Sequence, residues 1–117
     1  LWGEAIKVKA GYTCEYCRKI GVKIGGATRL NACHVVGRRN RTTRWGCEID
    51  GLWDLCGFCG CYTCHNIYDH HLYLHDDLIN KVLGLDRYQK IMTTAVKVDK
   101  NQEFDAIKLQ LLKVING

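Results

Sequence analysis

Apolar positions come in short, interrupted bursts through the first half of the chain and recur every three or four residues through the second. From Leu72 to Leu83, the residues Leu74, Leu78 and Val82, with Ile79 and Leu83, share one helical face, and Gly84 supplies a stop. A second helix, capped by Asp86 and running through Val98, turns Tyr88, Ile91, Met92 and Ala95 inward. A third, from about Gln102 to Ile115, uses Phe104, Ile107, Leu111 and Val114. At the front, Leu1, Trp2, Ala5, Ile6 and Val8 form the stripe of a short helix that Gly11 ends. Residues 28–36, TRLNACHVV, alternate as a strand does and carry His34 near its end. Residues 49–55, IDGLWDL, read as the return strand pairing with it, and a helix then starts around Tyr62 to His65 and continues through NIYDHH.

The cysteines change this picture. Eight of them occupy 117 residues, and six fall into Cys-x2-Cys pairs: Cys14 and Cys17, Cys56 and Cys59, Cys61 and Cys64. A secreted disulfide scaffold scatters its cysteines, whereas tight pairs at long separation offer two sulfurs each to one tetrahedral ion. Spacing leads to the expectation of a zinc ion held by Cys14 and Cys17 together with a second pair, either Cys61 and Cys64 or Cys56 and Cys59. Thiolate ligands imply a reducing compartment, expected to be the cytoplasm. Cys47 has no partner at useful spacing and reads as a small buried residue. No window approaches the apolar length of a membrane span, so no membrane partner is expected.

Net charge is +5, and four of the basic residues crowd into GRRNRTTRW: Arg38, Arg39, Arg41 and Arg44. A cationic run on an otherwise mildly charged chain suits a polyphosphate partner; a solvated loop is the bland alternative. His34 lies between the cysteine pairs, and His65, His70 and His71 follow them, a layout that suggests a metal-pinned active site.

The segment LNACHVVGRRNRTTRW, then Asp50-Gly51, then Cys-x2-Cys-His and a downstream histidine, resembles the HNH endonuclease family, above all its small phage-type members with a zinc knuckle. The resemblance covers roughly residues 2–90. It implies an α+β protein: a ββα-metal core with a structural zinc site and a helical C-terminal extension. The zinc would be held by Cys14, Cys17, Cys61 and Cys64, because that second pair keeps the family's following histidine, with Cys56 and Cys59 as the alternative. One domain then spans 1–117, with the N-terminal helix and knuckle in 1–27, the core in 28–71 and the extension in 72–117. It implies metal-dependent hydrolysis of DNA phosphodiester bonds, with His34 as general base, Asp50 orienting it, and His65 as a metal ligand and catalytic group. The catalytic cation, Mg²⁺, Mn²⁺, Ni²⁺ or Zn²⁺, would be held by Cys33, His65 and either Asp69 or His70. The arginines would clamp backbone phosphates.

Two residues depart from the family pattern. Cys33 stands where a histidine or aspartate usually precedes the base, and Asp50 stands where asparagine usually precedes glycine. These departures keep open a catalytically degenerate, zinc-stabilised DNA-binding protein. A phage assembly or packaging protein that meets its partner through the helical tail is a further alternative.

Overall fold

The computed structural model describes residues 1–21, 29–37, 39–70, 72–96 and 104–117; Arg38 and His71 lie outside them, as does the expected extension of the second tail helix to Val98. The protein is mixed α+β; among the described residues, two small two-stranded sheets lie among helices. Helix α1 (Trp2–Lys9) leads through a turn to α2 (Glu15–Ile20), which ends at Gly21 in the left-handed conformation. Strand β1 (Leu30–His34) pairs antiparallel with β4 (Gly57–Cys61), and β2 (Cys47–Ile49) pairs with β3 (Leu52–Asp54). Helix α3 (Tyr62–His70) follows β4 without a break. Next come α4 (Leu72–Leu78), a π-helical turn (Ile79–Leu83), α5 (Leu85–Ala95) and α6 (Phe104–Asn116).

The return strand is therefore not 49–55. Gly57 stands opposite His34 and Cys61 opposite Leu30, while 47–54 forms a hairpin of its own. Local backbone chemistry explains the shift. Asp50 and Gly51 have φ of 53° and 80°, the pair of left-handed residues that a two-residue type I′ turn requires between Ile49 and Leu52. The strand facing β1 must also come very near it. A Cβ on Gly57 would lie 2.6 Å from the Cys33 carbonyl oxygen and 2.5 Å from the Trp2 ring.

Two apolar clusters flank the β1–β4 pair. One gathers Tyr16, Cys17, Cys33, Phe58, Cys64, Ile67, Tyr68 and the Leu78–Ile91 side of the tail. The other joins α1 through Trp2, Ala5 and Ile6 to Leu55, Cys59 and the α6 residues Ile107 and Leu111. The tail thus folds back onto the first helix. Phe104 and Met92, expected inside, are exposed, Phe104 by 73%. Gly84, not Asp86, caps α5. No helix among the described residues is long and apolar enough to cross a membrane.

Candidate metal centre and histidine cleft

Cys14 is the N-cap of α2 and Cys17 lies in its first turn; Cys61 ends β4 and Cys64 lies in the first turn of α3. Each pair thus sits on a bend into a helix. The four sulfurs lie within 4.8 Å of one another. Cys17 Sγ is 3.9 Å from Cys61 Sγ and 3.6 Å from Cys64 Sγ. A tetrahedron with Zn–S bonds of about 2.3 Å has edges of about 3.8 Å, so the cage fits a zinc-sized ion. Burial works against a Cys14 thiolate, yet hydrogen bonds from the Cys17 and Cys61 backbone and from neighbouring thiols outweigh it and hold Cys14 below the ordinary thiol value. Burial, then the contacts to Cys61 and Cys14, push Cys64 up. Anionic sulfur forced together with reluctant sulfur is the arrangement that a dication relieves.

The alternative pair is employed elsewhere. The Cys59 backbone N–H donates to Glu15 Oε2 at 2.8 Å, tying β4 to α2, and burial pushes the Cys59 thiol up to about 11. Cys56 Sγ lies 3.6 Å from Cys47 Sγ, so Cys47 does have a partner. Spacing along the chain could not reveal this contact, because it follows from the hairpin that brings residues 47 and 56 back together.

A second locus is a cleft of about 620 Å³ lined by Ala32, His34, Val35, Gly37, His65, Tyr68, Asp69, His75 and Tyr88. His34 reaches it from the end of β1, and His65 and Asp69 from successive turns of α3. His65 Nε2 is 3.2 Å from Asp69 Oδ2. Donors on adjacent corners of an octahedral cation, each about 2.1 Å from it, lie about 3 Å apart, so these two atoms fit one divalent ion. Their contact is also an ordinary i,i+4 ion pair. His70 is exposed and does not line the cleft, whereas His75 does; its ring lies 4.9 Å from that of Tyr68.

The His34 ring is held on two sides. It stacks on Trp2, and Nε2 lies 3.0 Å from the Arg44 carbonyl oxygen. A carbonyl only accepts, so Nε2 carries the proton and Nδ1 is the basic nitrogen of the neutral ring.

Cys33 and Asp50 do not join this group. Strand alternation turns Cys33 to the opposite face from His34, where it is fully buried and burial drives its thiol strongly upward, with Asp69 adding to the effect. Asp50 sits at the hairpin tip, 2.6 Å from Lys90 Nζ, and the residues opposite the end of β1 are Cys56 and Gly57.

The arginine loop is pinned from within. Asn40 Nδ2 donates to the Ala95 carbonyl at the end of α5, and its Oδ1 accepts from both the backbone N–H and the hydroxyl of Thr43. Arg39, Arg41 and Arg44 are exposed, and Arg44 lies 4.6 Å over the Trp45 ring.

Comparison with protein families, curated proteins and solved structures finds no match to this chain.

Proposed function

We propose that this domain is a metal-dependent endonuclease of the HNH type, hydrolysing phosphodiester bonds in DNA. The observation that carries the reading is the cleft itself: His34, with its basic Nδ1, shares it with the His65–Asp69 pair. The antiparallel β1–β4 pair running straight into α3 is consistent with the resemblance seen in the sequence.

On this reading His34 takes a proton from the water that attacks phosphorus, and the Arg44 carbonyl and Trp2 keep its tautomer and orientation. His65 and Asp69 would hold the divalent cation, which supplies charge neutralisation at the scissile phosphate and the leaving oxygen. Arg39 and Arg41, exposed on a loop anchored by Asn40, would bind the flanking phosphates. Zinc in the four-cysteine cage would fix the β4–α3 junction from which His65 and Asp69 project.

The second reading, a DNA-binding protein without turnover, is favoured by Cys33 facing the core and Asp50 pairing with Lys90, which leave two donors beside the base. A plasmid-nicking assay with Mg²⁺, Mn²⁺, Ni²⁺ and Zn²⁺ separates the two. The nuclease reading expects nicks that disappear in His34→Ala and His65→Ala. Absence of cleavage with every ion and both strand forms sinks it, and retained DNA binding by that inert protein supports the second.

A further inference from the structure

We propose that Cys47 and Cys56 form a reversible disulfide site, oxidised by low-molecular-weight disulfides, that is separate from the zinc cage and independent of any nuclease activity. The two sulfurs lie 3.6 Å apart, within a side-chain rotation of bonding distance, and neither belongs to the four-cysteine group. Their exposure is unequal: Cys47 is half-buried on β2, whereas Cys56 is 1% exposed. The contact between the two sulfurs lowers Cys47 below the ordinary thiol value and, together with burial, raises Cys56. One cysteine is thus accessible and nucleophilic, and its neighbour is sheltered and placed to resolve.

The reaction balances as thiol–disulfide exchange. Cys47 thiolate attacks one sulfur of a disulfide such as glutathione disulfide, breaking its S–S bond and releasing one thiolate. Cys56, losing its proton to solvent, then attacks the Cys47 sulfur and releases the second. The external disulfide gains two electrons and the protein sulfurs lose them. The bond would close the β2–β3 hairpin across its base. It would also lock the Cys56 carbonyl, which accepts from the Val35 N–H beside His34, to the strand that leaves the arginine loop.

The test treats the zinc-loaded protein with glutathione disulfide and reads intact mass, zinc content and chymotryptic peptides cut after Trp53 and Phe58. The expected result is loss of two hydrogens with full zinc retention and a Cys47–Cys56 link. Cys56→Ser should stop with one glutathione on Cys47, and Cys47→Ser should take up none. The proposal is overturned if the wild type stays reduced, if the link falls among the zinc-cage cysteines, or if Cys56→Ser takes up no glutathione. Two zinc ions per chain, with the second lost in Cys47→Ser, would overturn it in favour of a second metal site.

Discussion

Trp2 lies flat against His34, the ring centroids 3.9 Å apart and the planes within 14° of parallel. The same indole donates its N–H to the Leu55 carbonyl at 2.9 Å, so one residue of the first helix supports both the candidate base and the approach to β4. Trp2→Ala should cost about 3–5 kcal/mol in urea unfolding of the zinc-loaded protein. Trp2→Phe keeps a ring but strands the buried carbonyl, and should cost about 1–3 kcal/mol. Equal losses in the two variants would mean that the hydrogen bond, not the packing, is what matters.

His34→Ala is expected to lower cleavage by about 10²–10⁴ if His34 is the general base. Because it also removes the stack on Trp2, a stability loss of about 0.5–1.5 kcal/mol should accompany it. DNA affinity should hold. His65→Ala should instead be partly rescued by raising the metal concentration, since it removes a donor and leaves the base.

Chelation of zinc should abolish the cooperative thermal transition, and Cys17→Ser should imitate it. Cys59→Ser, outside the cage, should retain full zinc content by elemental analysis. Loss of zinc in Cys59→Ser would mean that the alternative cysteine pair closes the site.

Arg87 holds Asp54 with two hydrogen bonds, at 2.8 and 2.9 Å, and with that partner outweighing burial the Asp54 carboxyl sits below its usual value. A depressed carboxylate stabilises the fold above its unfolded pKa of about 3.9, and the contribution is lost as pH falls through the lower folded value. Asp54→Asn should therefore cost about 2–4 kcal/mol between pH 5 and 8, a gap that narrows only in stronger acid. Urea titrations of both proteins at several pH values read this directly, and a gap already closing at pH 6 would contradict it.

Alanine at Arg39 and Arg41 should flatten the salt dependence of DNA binding by about one unit of slope per lost phosphate contact. Arg44→Ala should behave differently, costing about 0.5–1 kcal/mol of stability through its Trp45 contact. Binding isotherms across a salt series, paired with melts, distinguish the two effects.

Much of this was readable from local pattern. The three-to-four spacing of Leu74, Leu78 and Ile91 marks the tail helices, and two Cys-x2-Cys pairs far apart in sequence mark one cage. The β partner of residues 30–34 is 57–61, not the 49–55 that the hydrophobic run suggests, because Asp50-Gly51 turns the chain back on itself within that run. Asp-Gly between apolar residues is a strong type I′ hairpin signal, and a hairpin over 47–54 leaves 57–61 to pair with β1. The Cys47–Cys56 contact depends on that same hairpin, so it is legible only once the turn is recognised. The burial of Cys33 was implicit in strand alternation: once His34 faces the cleft, its neighbour must face away. The Asn40 anchor carried no sequence signal, since its partner, Ala95, is 55 residues away and contributes only a backbone carbonyl.

The four-cysteine cage also dictates an order of events during synthesis. Cys14 and Cys17 leave the ribosome early, but their ion cannot be enclosed until Cys61 and Cys64 emerge more than forty residues later. Until then the nascent chain carries two soft ligands, the arginine loop and half of a β pair with its edge open. An ion bound by both pairs would clip the intervening segment into a ring, so its capture would coincide with formation of the last β4 hydrogen bonds. The cell's zinc supply would then govern how long each new chain remains unfinished, and scarcity would show as aggregation of newly made protein before any change in the folded pool.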